Sequence, residues 1–318
     1  AEALIIDDNK SVLSALEIPA ENIIVGWPTI HTFPDHSASP SVTDSTLYDG
    51  FLGFALTYAY LAVIMQDSAF KTKAQRCLEK YWHNTTMPGN LSHQQSQPGG
   101  FYGYLGGGVL TLARIANLWK SDCYHDWIKA LLKKGEDYVA ATPKNRDLND
   151  FLSFATEFDW ALGKLGYLAA LIYSEPLLPD ELLNQRDLLR LYQTITQRLP
   201  AQFPASFFDK RHFPRNHGMA HGITGILYAL HLCIHQAGLP SVPLYEQYGL
   251  LQTIQTDLYQ EMAKPYWCNN TGGYTLAVLQ MSQQLTELKA TGESAFKKIL
   301  PLLEQYLQHN KPNLCHGN

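Results

Sequence analysis

An all-α fold of repeated helix pairs, an α/α toroid, is the architecture this chain predicts. Three observations carry it. A Gly-x-x-Gly step returns at Gly50/Gly53, Gly103/Gly106, Gly163/Gly166 and Gly222/Gly225. Each step is followed by an Ala- and Leu-rich stretch that is apolar nearly all round, the pattern of a buried helix. Between these stretches lie amphipathic ones with a solvated face. A fixed period of paired helices marks a repeat architecture. Alternation of buried and amphipathic helices predicts two concentric layers, a double-layered helical barrel.

In chain order, residues 1–45 read as an irregular N-terminal segment packed on the toroid, rich in Pro, Ser and Thr from about residue 18. Residues 46–318 read as the toroid, with no internal domain boundary. Inner helices are expected over 54–62, 109–116, 167–173 and 226–232, and outer helices over 74–81 and 126–134. A fifth step is degenerate, Asn270-Thr271-Gly272-Gly273, where asparagine stands in because it tolerates a left-handed backbone. A sixth opens at Gly317, so the last repeat is expected to be cut short. The first residues of successive steps lie 47 to 60 apart, room for two helices and their loops. Glycines at the inner-helix starts allow close approach of backbones and leave free N–H groups facing a central cavity.

Composition excludes several classes. The chain has 318 residues and a net charge of −5, with acids and bases mixed and no basic tract, which argues against nucleic-acid binding. Mean hydropathy is −0.18, and no apolar run reaches the ~18 residues of a transmembrane helix. The first residues lack the basic segment of a secretory signal. Five cysteines at wide spacing are not a disulfide framework. Cys77, Cys123 and Cys233 fall in apolar or helical patterns and are expected to be buried free thiols, in a reducing, cytoplasmic setting.

The candidate chemistry sits at the fifth and sixth steps. Trp267-Cys268 and Cys315-His316-Gly317 place two thiols and an imidazole at distant inner-helix starts. Soft thiolates and an imidazole suit a zinc ion with an open fourth position. Two buried thiols are the other reading. His217 and His221 lie four apart, but no Glu follows His217, and Gly218 and Gly222 break a helix, so they do not form a metal pair. His231 and His235 read as packing or outer-surface residues. Asp159 caps a helix beginning near Trp160 on the structural reading.

With these residues assembled, the chain resembles the lanthionine cyclases and their LanC-like relatives over roughly residues 45 to 318. The resemblance rests on Leu47-Tyr48-Asp49-Gly50, on the 216–225 run Asn-His-Gly-Met-Ala-His-Gly-Ile-Thr-Gly, on Trp267-Cys268 and on Cys315-His316-Gly317. It implies a toroid with Zn2+ near its axis, held by Cys268, Cys315 and His316 and open to water or a substrate thiol at the fourth position. The implied activity adds peptide cysteine thiols to dehydroalanine or dehydrobutyrine, giving lanthionine or methyllanthionine rings. It implies a catalytic role for His221 and places Asp159 in the same site. Lys264 stands where the bacterial cyclases often carry Arg, keeping the charge without the guanidinium fork. Asn269 stands where they often carry Tyr. The implied partner is a dehydrated precursor peptide, with a dehydratase as partner or fused domain. Alternatives are a LanC-like enzyme adding glutathione to dehydrated residues, or a non-catalytic zinc toroid scaffold. A toroidal glycosidase needs a second acid beside Asp159, and none is evident.

Overall fold

The computed structural model describes residues 28–32, 38–42, 45–47, 50–86, 99–141, 147–208, 218–248 and 271–282, with residues 297, 300 and 301. Helices dominate. The inner layer consists of α1 (Phe51–Ile64), α3 (Gly106–Trp119), α6 (Lys164–Ser174), α8 (Ile223–His231) and α10 (Thr271–Ser282). Successive inner helices pack on one another, α1 on α3, α3 on α6, α6 on α8 and α8 on α10. Outside them run α2 (Ser68–Thr86), α4 (His125–Ala140) and α7 (Gln185–Thr196), packed on α1, α3 and α6 respectively, with α4 also against α7. Two shorter helices, α5 (Phe151–Phe158) and α9 (Pro243–Tyr248), lie against α6 and α8.

The two layers follow from side-chain pattern. Every residue of α8 is buried, as are Gly106 through Ala113 on α3 and Lys164 through Ile172 on α6. α7 instead buries Leu188, Leu191, Tyr192 and Ile195, one stripe at helical spacing, and leaves the opposite face wet. Its start is fixed by Asn184, whose side chain accepts from the Arg186 and Asp187 amides. α4 buries Ile128, Leu131, Gly135 and Val139 in the same way.

Residues 28–32 (β1) and 38–42 (β2) pair as an antiparallel hairpin inside the segment expected to be irregular. Pro28 falls on the first strand residue, where the missing N–H matters least, and Ile30 and Val42 favour extended backbone. Pairing between strands is non-local, so a Pro- and Ser-rich composition concealed it.

The Gly-x-x-Gly steps have a shared geometry. The first glycine begins the helix by accepting from the amide four residues on: Gly50 from Phe54, Gly103 from Gly107, Gly163 from Tyr167 and Gly222 from Ile226. Gly50, Gly163 and Gly222 have φ of −115°, −88° and −115°. These values are open to any residue, so the left-handed argument used for Asn270 is not what the step requires; Asn270 itself lies outside the described residues. Close approach is what it requires. A Cβ on Gly166 would sit 1.6 Å from the Trp160 carbonyl oxygen, one on Gly225 1.9 Å from that of Met219, and one on Gly106 2.5 Å from that of Gly100. In each case the obstructing carbonyl belongs to the residue six positions upstream. The helix start is folded back on its own approach loop.

This predicts a graded response to added methyl groups. Gly166→Ala should cost about 3 kcal/mol or more, the upper range for overpacking, because backbone must move. Gly238→Ala, at φ +63° with nothing within 4 Å, should cost only the left-handed strain of about 1 kcal/mol. Urea unfolding of the two variants checks the order.

Candidate active site

Main-chain hydrogen bonds join the loops that lead into successive inner helices. Leu47 N–H donates to Tyr102 O (2.9 Å), Gly100 to Leu162 O (2.9 Å), Phe101 to Trp160 O (3.1 Å), Tyr102 to Ala161 O (3.1 Å) and Ala161 to Ala220 O (2.9 Å). The last bond ties the loop carrying Asp159 to the loop carrying His221.

Asp159 ends α5 and begins the turn into α6, which starts at Lys164 rather than near Trp160. Its carboxylate closes the turn and also touches His221. Oδ1 accepts from the Leu162 amide at 2.6 Å and the Gly163 amide at 2.8 Å, closing the turn. Oδ2 lies 2.8 Å from His221 Nδ1. An ionised carboxylate only accepts, which fixes the Nδ1–H tautomer and leaves Nε2 as the basic nitrogen. The Asp159 side chain is 2% exposed and the His221 side chain 31% exposed. The imidazole therefore reaches solvent while its anchor does not.

The remaining predicted residues, Cys268, Cys315, His316 and Lys264, lie outside the described residues, as do His217 and Asn269. Among the described residues no three His, Cys, Asp or Glu side chains gather as a metal site.

One buried cluster escaped the sequence reading. Glu157 Oε1 lies 2.7 Å from Lys164 Nζ and 2.8 Å from an Arg198 guanidinium nitrogen. Both cations also donate to the Ala141 carbonyl at the end of α4, Lys164 at 2.7 Å and Arg198 at 3.0 Å. The available signal was a lysine directly after Gly163, within the glycine step that leads into a stretch read as buried helix.

Of the described cysteines, Cys77 and Cys233 are buried as expected, but Cys123 is exposed in the turn before α4, where its amide bonds Ser121 Oγ. Burial pushes the Cys77 thiol up to about 12 and Cys233 higher still, so neither is a nucleophile. His231 is buried with Nδ1 3.0 Å from the Tyr245 hydroxyl, stacks on Tyr228 and packs at a tilt against His235, a packing role.

Between the inner helices lies a cavity of about 240 Å3 lined by Phe101, Trp160, Tyr173 and Tyr228, with Arg114 and Gln280 among its polar residues. Phe101 stacks on Trp160 at 4.5 Å, and the Tyr173 and Tyr228 hydroxyls are 3.0 Å apart. Trp160 directly follows Asp159, so aromatic packing on one side of the loop braces the carboxylate presented on it.

The two jobs of Asp159 separate by substitution. Asp159→Ala removes the turn acceptor and should cost about 1–2 kcal/mol in equilibrium unfolding. Asp159→Asn keeps an amide oxygen for that turn and should cost less. Asp159→Ala should release the imidazole to a mixture of tautomers, while Asp159→Asn, donating its amide N–H to Nδ1, should favour the Nε2–H form; nitrogen-15 spectra of His221 report both directly.

Comparison with known proteins agrees with this fold. The family model of lanthionine synthetase C-like proteins matches residues 41–318. No curated protein matches the chain. Nine chains of known structure do, among them a nisin cyclase with a TM-score of 0.53 and 17% sequence identity over 86% of this chain and 74% of that one. At that identity the likeness speaks for the fold. The match over residues 41–318, together with helix-pair repeats built on glycine steps, establishes that this chain belongs to the lanthionine synthetase C-like family.

Proposed function

We propose that the chain is a zinc-dependent lanthipeptide cyclase, which adds peptide cysteine thiols to dehydroalanine or dehydrobutyrine to form thioether rings. The observation that carries this reading is the Asp159–His221 contact of 2.8 Å at the inner-helix starts. It is an acid–base pair with a buried anchor and an accessible imidazole, which a non-catalytic scaffold has no use for.

The donor set Cys268, Cys315 and His316 fits zinc in type and number, two soft thiolates and one imidazole, the count of a catalytic site with one open position. When bound, zinc supplies that open position and lowers the pKa of a peptide thiol so that it is available as a nucleophile. The rest falls to the protein's side chains. A C–S bond forms at the β-carbon of the dehydrated residue, and the electron pair of its double bond moves onto the α-carbon and adjoining carbonyl. His221 Nε2 takes the thiol proton or returns a proton to the α-carbon, so that the net change is addition of S–H across the double bond. Asp159 holds the ring in place through Nδ1. Lys264 keeps a positive charge to offset the developing enolate.

The inner helices are read as part of a closed double-layered toroid, which their unbroken order of neighbours supports. The substrate on this reading is a dehydrated precursor peptide, supplied by a dehydratase, either separate or fused. No helix among the described residues is long and apolar enough to cross a membrane. With Cys77, Cys123 and Cys233 free, a reducing cytoplasmic setting belongs to the same reading.

Purified protein should carry about one zinc per chain. Cys315→Ala should lose both metal and cyclisation of a dehydrated, cysteine-containing peptide, while Cys123→Ala keeps both. Protein that neither contains nor takes up zinc ends this reading. His221→Ala should keep zinc and the fold yet slow cyclisation by about 10²-fold or more. A near-normal rate in that variant removes His221 from the chemistry and leaves protonation to water.

A further inference from the structure

We propose that the buried Glu157–Lys164 ion pair, seated by Arg198 and the Ala141 carbonyl, is the positioning device of the Asp159–His221 pair. The proposal rests on the reading of His221 as the proton-transfer group.

Glu157 and Lys164 bracket the turn that carries Asp159, one on the last turn of α5 and the other the first residue of α6. Their contact of 2.7 Å closes that turn across its base. Their side chains are 2% and 4% exposed, so the pair has been taken almost wholly out of water. Such burial is costly, and an apolar pair of similar volume generally serves stability as well or better. What apolar packing does not supply is direction. A carboxylate oxygen at ion-pair distance from an ammonium and a guanidinium, with both cations also donating to one carbonyl oxygen, leaves few arrangements that keep every contact.

That fixed arrangement governs Asp159 through a short lever. Between the paired residues, Asp159 commits Oδ1 to the Leu162 and Gly163 amides, which leaves Oδ2 one direction, toward His221. The Leu162 carbonyl is held in turn by the Gly100 amide and by the Tyr138 hydroxyl at 3.0 Å. The Tyr138 ring also faces Lys164 Nζ, 5.9 Å from its centroid. A slide of about 1 Å between the end of α5 and the start of α6 would stretch a 2.8 Å hydrogen bond beyond its working range. Glu157, Lys164 and Arg198 touch no reacting atom on this account. They act through Asp159, and Arg198 and Ala141 bring the outer layer, beyond α7 and α4, to bear on the site.

The test uses the full chain with zinc and the double substitution Glu157→Leu/Lys164→Met, which removes both charges together. The thermal midpoint and zinc content should stay at or above wild type. Nitrogen-15 spectra should show His221 passing from the single Nδ1–H tautomer to a mixture. The kcat for cyclisation should fall about tenfold or more with KM unchanged, the usual scale for losing a supporting partner. A folded double variant that keeps the wild-type tautomer and a kcat within about twofold overturns the proposal. Should the double variant not fold, Arg198→Met decides: a tautomer mixture and lowered kcat, both reversed in Arg198→Lys, sustain it, and an unchanged site overturns it. The tautomer is read without substrate. If wild-type protein performs no cyclisation, the cyclase reading falls while the spectra still decide the positioning role.

Discussion

Amides of the loop before α3 bond to carbonyls of the loop before α6, and that loop bonds on to the one before α8. This belt of main-chain contacts is the constraint on which the other features depend. Each bond contributes only about 0.5–1.5 kcal/mol net, so its value lies in register more than in stability. The pattern partly repeats: the amide three residues before one first glycine bonds the carbonyl one residue before the next, as Leu47 to Tyr102 and Gly100 to Leu162. Chains can come this close only where side chains are missing. Within the belt, a Cβ on Gly100 would lie 2.5 Å from the Leu162 carbonyl carbon, and Gly106, Gly166 and Gly225 face carbonyls of their own approach loops just as closely. The hydrophobic core supplies the bulk of the driving force, but apolar burial is non-directional and would accept many rotations of the helices. The belt selects one.

The site inherits its precision from that selection. Asp159 and His221 come from different repeats, sixty-two residues apart in sequence, yet the Ala161–Ala220 bond holds their loops together directly. Asp159 then holds its turn with one oxygen and His221 with the other. A residue with both contacts cannot be varied for one without disturbing the other, so the turn-closing role of Asp159 does not compete with its contact to His221.

The glycine steps were legible because they are local and periodic, and α3, α6 and α8 were legible because a helix buried nearly all round has no polar face; α1 carries the same apolar pattern but leaves Tyr60, Val63 and Ile64 exposed. His221 was legible only as a histidine inside a glycine run; its partner at Asp159 came from family resemblance, since nothing in spacing alone joins positions so far apart. The hairpin over 28–42 was missed because its pairing is non-local and its prolines read as breakers. Cys123 was misplaced because a cysteine beside a helical pattern can sit in the turn before it, where no core covers it. The Glu157–Lys164 pair was missed for a more general reason. Sequence periodicity marks a charged residue in an apolar stretch as an exception, but the group that excuses it, here Arg198 with the Ala141 carbonyl, lies on other elements.

Main-chain constraints also bear on how such a fold persists while its sequence changes. A belt of N–H···O=C bonds does not depend on which side chains its residues carry, apart from the glycines that permit the approach. Inner helices require only apolar residues of roughly suitable volume, a demand many sequences meet. Specific side chains are needed where direction matters and backbone alone does not provide it. In this chain those places are the Asp159–His221 contact and the charges that brace it. The outer helices have a corresponding double character. Their apolar stripes cover the inner layer with little specificity, while the Ala141 carbonyl at the end of α4 and Arg198 just beyond α7 reach inward to one buried carboxylate. Outer-layer residues thereby bear on the turn that carries Asp159 through direct contacts on a packed scaffold, without the scaffold itself having to move.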